Sequence, residues 1–338
     1  MSAILTLTPN PAIDASTTVD RVIADRKLRC GVPRFDPGGG GINVARVIRR
    51  LGGDATAVFL SGGPTGELLQ QLLERDGVPN RTVECAQWTR ENITVVEESS
   101  GHQYRFGMPG PTVSTLEWDR VLELLRDWQP TPEFVVASGS LPPGLPDDAF
   151  AQVARIVNRR GSRLVLDTSG PALVNGICSG VYLIKPNLRE LAQLAGDTIA
   201  DDEQLKAVAL SIVDRGWSEV VVVSLGARGA YLLSATECER IIAPIVPVLS
   251  RVGAGDSMVG GIVSALARGS SIHEAVRFGV AAGSAAVMQH GTELCHRADV
   301  DRLLPQSLCG DHRVEAGADD GDAASLRHQE HAVSLGAE

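Results

Sequence analysis

The chain has 338 residues, 43% of them apolar and 21% charged, and 41 acidic against 31 basic side chains leave a formal net charge of −10. That composition suits a globular protein with a large core, built as one big α/β domain or two smaller ones. The acidic balance excludes nucleic acid and an anionic membrane as the main partner, although local groups can still hold a small anion.

No apolar run approaches the ~20 residues of a bilayer span. The first residues meet Pro9 and Pro11 early and carry no basic leader region, so they do not read as a signal peptide. Six cysteines at positions 30, 85, 178, 238, 295 and 309 form no CxxC pair. That scatter predicts reduced, buried and inert thiols in a cytoplasmic protein.

Taken in chain order, short apolar runs alternate with amphipathic ones. Ala3–Leu7, Ala55–Leu60, Phe134–Ala137, Arg163–Leu166, Val181–Ile184 and Val220–Ser224 read as buried strands. Ile42–Leu51, Gly66–Asp76, Thr115–Trp128, Asp147–Arg159 and Asp201–Arg215 read as helices between them. Such βα units predict a mostly parallel sheet covered on both faces, with ligands at the carboxyl ends of the strands. Two half-polar stretches, Thr17–Phe35 and Arg81–Phe106, break the alternation and predict a small second sheet, a lid or a dimer surface. Gly310–Glu338 holds seven acidic and two basic residues, half of the chain's net charge, and predicts a disordered tail.

Two glycine-rich segments carry the chemistry. In Asp36–Arg46 four consecutive glycines, Gly38 to Gly41, open a helix, where bare backbone and free N–H groups attract an anion. A dinucleotide loop fits poorly, because these glycines follow a polar stretch and Asp54 precedes the next strand instead of ending it. In Ser250–Gly261 a second glycine loop leads into a helix of small apolar residues, Ser257–Ala267. The N–H groups of Ala254, Gly255 and Asp256 would form an anion hole there. Asp256 reads either as an ordinary N-cap or as a base that takes a hydroxyl proton while the hole stabilises a transferring phosphoryl group. The only lysines are Lys27, Lys185 and Lys206, none in a GxxxxGK[ST] context, so a P-loop is excluded; HRD and DFG are absent as well.

A Gly-Gly-rich loop ending in Asn43 and a Gly253-Ala254-Gly255-Asp256 run, roughly 210 residues apart and in that order, resemble the ribokinase-like PfkB carbohydrate kinases. Lys27–Cys30, Trp88–Arg90, Tyr104–Phe106, Ser138–Gly144, Lys185–Asn187, Val221–Gly226 and Val276–Gly283 extend the likeness across residues 3–305. They are most similar to a branch of the family whose sugar already carries a phosphate. The resemblance implies a three-layer αβα domain over residues 1–308 with a mostly parallel sheet. It also implies a β-sheet lid from about 15–36 and 81–108, and an acidic tail over 309–338.

The resemblance further implies ATP-dependent phosphorylation of fructose 6-phosphate at its 1-hydroxyl. Tagatose 6-phosphate or fructose 1-phosphate is the alternative sugar, and a non-catalytic sensor is the alternative class. By likeness Asp256 is the base, with Gly253, Ala254 and Gly255 as the anion hole. Asp14, Gly38, Gly39, Asn43 and Ser138 hold the sugar, and Lys27, Arg29, Arg90 and Arg105 its phosphate. Lys185, Asn187, Ser224, Gly226, Gly229 and Gly283 line the nucleotide. Asn187 and Glu190 hold Mg²⁺, Glu190 through water, although the same pair reads equally as a helix N-cap with its capping-box partner. K⁺ near the second glycine loop stays open, because Arg251 and Val252 stand where many family members carry threonine-type residues. A homodimer through the lid is the family's expected assembly.

Overall fold

The computed structural model describes residues 4–309. Strands β1 (Ile4–Thr8), β2 (Ala12–Val19) and β3 (Arg34–Gly38) lead into helix α1 (Gly40–Arg50), β4 (Ala55–Ser61), α2 (Gly63–Arg75) and β5 (Asn80–Glu84). Next come β6 (Arg90–Glu97), β7 (Gln103–Phe106), α3 (Thr115–Asp127), β8 (Phe134–Ser138), α4 (Ala149–Arg159), β9 (Arg163–Asp167) and α5 (Pro171–Ile177). They are followed by β10 (Val181–Ile184), α6 (Leu188–Ala195), α7 (Asp202–Asp214), β11 (Ser218–Ser224), β12 (Ala230–Ser234) and β13 (Cys238–Ile242). Helices α8 (Ala254–Leu266), α9 (Ile272–Val287) and α10 (Arg297–Leu303) and the short β14 (Leu308–Cys309) complete the described chain.

The large sheet has the order β14-β13-β12-β11-β10-β9-β8-β1-β4-β5. From β5 to β11 every neighbour is parallel, and β12 to β14 add an antiparallel edge. Successive strand residues point to opposite faces. Thus Phe134 and Val136 of β8 join one core, with α1, α8 and α9, while Val135 and Ala137 join the other, with α3, α4 and α7. Val220 to Val223 of β11 divide between the same two cores. A continuous apolar run is what a strand buried on both faces requires. Helix starts follow local chemistry: Ser114 with Glu117, and Ser271 with Glu274, form capping boxes at α3 and α9.

The chain leaves β1 toward β4 on one side and returns to β8 on the other, which opens a crevice at the carboxyl ends of β1 and β8. A second sheet, in the order β3-β2-β6-β7, stands over this crevice.

Several sequence expectations shift. The lid strands begin at Ala12 and Arg90, not near 15 and 81, because Asn80–Glu84 pairs parallel with β4 at the edge of the large sheet. The hairpin β12–β13 was not anticipated. Cys309 pairs with Ile241, and residues 310–338, the rest of the expected tail, lie outside the described residues. Cys85 and Cys295 are buried, but Cys30, Cys178 and Cys238 are exposed, since their segments lie at surface turns and an edge strand. Among the described residues no helix is long and apolar enough to cross a membrane.

Candidate active site

Asp14 enters from β2, immediately after the Pro9–Pro11 turn that leaves β1, and its carboxylate Oδ1 accepts a hydrogen bond from Asn92 Nδ2 on β6 at 2.8 Å. Burial pushes the Asp14 carboxyl above the usual range; the Asn92 hydrogen bond and the charges of Arg90 and Arg105 offset part of this. Gly38 ends β3 so close to that carboxylate that a side chain there would overlap it. Gly39 follows with φ 110° as the N-cap of α1, a left-handed region where glycine is favoured. Ser138, buried at the end of β8, packs on Gly40 where a Cβ would stand, so α1 begins directly against the crevice. Asn43 lies in the first turn of α1.

Gly253 is the N-cap of α8, with φ 74° and ψ 0°, and Leu294 fills the space where its side chain would be. The first intrahelical bond runs from Ser257 N to Gly253 O at 2.8 Å. The N–H groups of Ala254, Gly255 and Asp256 are therefore left over for an anion, and the helix dipole adds to their pull. Asp256 does not cap the helix: Gly253 occupies that position, and no side chain bonds the cap. Instead Asp256 Oδ2 accepts from Asn43 Nδ2 at 2.9 Å. Burial, then the charges of Asp167 and Asp14, push the Asp256 carboxyl up to about 6 against the lowering effect of Asn43 and Lys185. A carboxylate poised there can accept a hydroxyl proton near neutral pH.

Asp14, Gly39, Asn43, Gly253 and Asp256 line one cavity of about 560 Å³ under the lid. Arg90, Arg105 and Arg251 line it too, which gives it a guanidinium rim. Arg90 also fastens the lid: Nη2 donates to Asn10 O and Nη1 to Met108 O, both at 3.0 Å, and Nε to Pro11 O at 3.4 Å. Lys27 and Arg29 stand exposed between β2 and β3 and do not line the cavity; their segment turns back at the far end of β2, where Gly31 N donates to Thr18 O at 2.9 Å.

The residues expected at the nucleotide gather at the ends of β10 and β11. Lys185 is buried and pairs with Asp167 at 3.3 Å. Burial favours its neutral form, but Asp167, Glu190 and Asp256 outweigh this and hold its pKa above the ordinary lysine value. Its ammonium lies beside Gly255 at the start of α8. Ser224 N donates to Pro186 O at 2.9 Å, and Leu225 N to Gly229 O at 2.8 Å closes a tight turn through Gly226. Gly229 packs on the Ile241 carbonyl, and Gly283 on the carbonyl of Ala254. Asn187 Oδ1 accepts from Glu190 N, and Glu190 Oε2 from Asn187 N, each at 2.9 Å, so the pair caps α6. Among the described residues no cluster of three or more His, Cys, Asp or Glu side chains could hold a metal alone.

Sequence reasoning missed Asn92, which orients Asp14, and Asp167, which neutralises Lys185. A carboxylate ending the strand-like run Arg163–Asp167 was a usable signal, since parallel sheets bind ligands at that end. Asn92 had no local signal.

Over residues 8–299 the sequence matches the model of the pfkB family of carbohydrate kinases. It is 48% identical over 301 residues to the ATP-dependent 6-phosphofructokinase isozyme 2 of Mycobacterium tuberculosis, an overlap of 89% of this chain and 88% of that one. The crystal structure of phosphofructokinase-2 from Escherichia coli in complex with potassium is similar, with a TM-score of 0.88 and 43% identity over 90% of this chain and 99% of that one. The complex of that enzyme with fructose-6-phosphate gives a TM-score of 0.84 and 41% identity over 91% and 99%.

Proposed function

This chain belongs to the pfkB family of carbohydrate kinases, and we propose that it transfers the γ-phosphoryl group of ATP to the 1-hydroxyl of fructose 6-phosphate. The products are ADP and fructose 1,6-bisphosphate. The observation that carries this reading is Asp256: a carboxylate pushed up to about 6, bonded to Asn43, at the mouth of an unfilled helix N-terminus and in one cavity with Asp14 and three guanidinium groups.

Asp14, Gly39, Asn43 and Ser138 hold the sugar, with Gly38 leaving room for the Asp14 carboxylate. Arg90 and Arg105 hold the phosphate it already carries; a guanidinium fork suits three phosphate oxygens. Lys27 and Arg29 belong to the same task only through a movement of the lid or a neighbouring subunit. The 1-hydroxyl gives its proton to Asp256, its oxygen forms the new bond to phosphorus, and the bond to the β-phosphate oxygen breaks with its electron pair leaving on ADP. The charge on the passing phosphoryl group meets the N–H groups of Ala254, Gly255 and Asp256.

Lys185 supplies a fixed positive charge on the nucleotide side. Gly226, with open space where a side chain would stand, offers close backbone approach there beside Ser224, while Gly229 and Gly283 shape the site by packing on the Ile241 and Ala254 carbonyls. Glu190, acidic and next to Lys185, fits an ion that keeps most of its waters, with Asn187 fixing its carboxylate through the capping box. Mg²⁺ bound there would neutralise charge on the nucleotide phosphates. K⁺ is proposed beside the α8 loop, where the Ser250 hydroxyl donates to the Gly291 carbonyl at 2.7 Å and would turn from that bond to offer its oxygen to the ion.

We further propose a homodimer through the lid. The strand register places Phe35, Ala15, Ile93 and Phe106 in one row across it, and Phe35, Ile93 and Phe106 are exposed. A cytoplasmic, reducing setting agrees with five free described cysteines.

The test is ADP release with Mg-ATP against fructose 6-phosphate, tagatose 6-phosphate, fructose 1-phosphate and free fructose. A kcat/KM highest for fructose 6-phosphate is expected. Preference for another sugar would reassign the pocket, and ATP binding without turnover on any of them would replace the kinase by a sensor.

A further inference from the structure

The three guanidinium groups of the cavity are not equivalent. Arg90 gives three of its N–H groups to the carbonyls of Asn10, Pro11 and Met108, which join β1, β2 and the end of the lid. Arg105 sits on the lid strand β7, paired in register with Thr94 of β6. Arg251 comes from the other wall. It lies two residues before Gly253, in the loop that delivers the first turn of α8, and it lines the cavity with Gly253 and Asp256. Its side chain is exposed to the cavity and, among the described residues, makes no hydrogen bond or ion pair. Two carboxylates, Asp14 and Asp256, line the same space, yet the guanidinium is bonded to neither.

An unsatisfied guanidinium at that place has a specific chemical use. On the reading above, on which this inference rests, the sugar enters with one phosphate and leaves with two. The first phosphate belongs to the lid arginines. The second is made at Asp256, beside Arg251 and the free N–H groups of α8. We propose that Arg251 is a catalytic residue of the transfer, whose guanidinium takes the oxygens of the phosphoryl group as it passes to the sugar and then holds it as the 1-phosphate. Arg251 stays protonated throughout. The proton of the 1-hydroxyl still goes to Asp256, one P–O bond forms, one breaks, and the electron pair leaves on ADP. The guanidinium stabilises charge that spreads over the three phosphoryl oxygens, and it adds a planar fork that backbone N–H groups lack.

The experiment compares Arg251→Gln and Arg251→Lys with the wild-type full chain: kcat, KM for fructose 6-phosphate, inhibition by fructose 1,6-bisphosphate, and thermal melting. Loss of one positioned donor at a phosphoryl transfer is expected to lower kcat by about a hundredfold in Arg251→Gln. KM for fructose 6-phosphate is expected to stay within about threefold and bisphosphate inhibition to weaken about tenfold, on the same footing of one lost charged contact. Arg251→Lys, which keeps the charge and loses the fork, is expected to recover part of kcat. An unchanged melting temperature in both variants keeps these effects local to the site.

A raised KM with kcat retained would overturn the proposal, because Arg251 would then read the incoming 6-phosphate. Wild-type constants in Arg251→Gln would also overturn it and leave the kinase reading standing. Absence of wild-type turnover on fructose 6-phosphate would overturn both.

Discussion

Asn43 and Asp256 lie 213 residues apart in the chain and 2.9 Å apart in the protein, the amide Nδ2 of one donating to the carboxylate Oδ2 of the other. Each stands in the first turn of its helix, and the two helices pack through Gly260 of α8 against Val47 of α1, with no room for a Cβ between them. A glycine one helical turn beyond the base thus brings two helix N-termini face to face. The same contact engages Oδ2 of Asp256 and leaves Oδ1 out of that bond, the oxygen that the proposed reaction would use.

Asp256→Asn removes the proposed base while keeping the shape of the side chain. Turnover is expected to fall by about 10³-fold with the binding of fructose 6-phosphate nearly unchanged, as loss of a general base would give. The native state is expected to gain stability at pH 8, because a half-buried carboxylate held up to about 6 is a burden when ionised. Steady-state kinetics with thermal melting check both; a variant that keeps wild-type kcat would remove Asp256 from the proton transfer.

The pH dependence carries a sign that can be read directly. The Asp256 carboxyl holds its proton up to about 6, against 3.8 for the ordinary group. Its penalty on folding is therefore complete above about pH 6 and fades as the pH falls from there toward 4. For activity the order reverses: the ionised base is needed, so kcat/KM is expected to drop on the acid side with a midpoint near 6. Asn43→Ala removes a hydrogen bond that lowers this pKa, so its acid limb is expected to move to higher pH. An acid limb that stays in place in Asn43→Ala would argue that another group controls it.

Arg90→Lys keeps a positive charge but cannot reach three carbonyls and a phosphate together. The KM for fructose 6-phosphate is expected to rise by about tenfold or more, consistent with one lost charged hydrogen bond, while the KM for ATP stays put. The ratio of the two constants is the readout, and equal changes in both would assign Arg90 to the architecture of the lid alone.

Arg46 is 3% exposed on α1, with Nε 2.8 Å from Asp76 Oδ2 and Nη2 3.7 Å from Asp36 Oδ1. Nη1 also donates to the Pro37 carbonyl at 3.0 Å. Arg46→Met is expected to cost about 3 kcal/mol, the low end for breaking a buried ion pair, since Arg34 and Thr292 still bond Asp36. Denaturant titration at constant pH measures it. A smaller loss would mean that water reaches Asp36 once the guanidinium is gone.

Much of the fold was legible locally. Buried strands such as Val220–Ser224 declared themselves by unbroken apolar runs. The start of the helix that carries Asn43 declared itself by the glycines ahead of it, whereas the capping box of Ser114 with Glu117 emerged only in the structure. The two glycine loops also announced an anion, because missing Cβ atoms and free N–H groups are properties of a few consecutive residues. Strand partners were less legible. Asn80–Glu84 has the half-polar look of the lid strands, yet it pairs with β4, since the α2 crossover returns the chain parallel to it. The short hairpin Ala230–Ile242 gave no clear period of its own.

By itself the sequence determined the class of fold, the two glycine-led helix starts and the residue types around them, because backbone conformation and capping are decided within a few residues. Tertiary structure alone decided that Asn43 bonds Asp256, that Asn92 holds Asp14, that Asp167 neutralises Lys185 and that Lys27 and Arg29 stay outside the cavity. These are relations between distant segments. They follow from the order of strands in the sheet and from how closely its helices pack, and no local pattern encodes either.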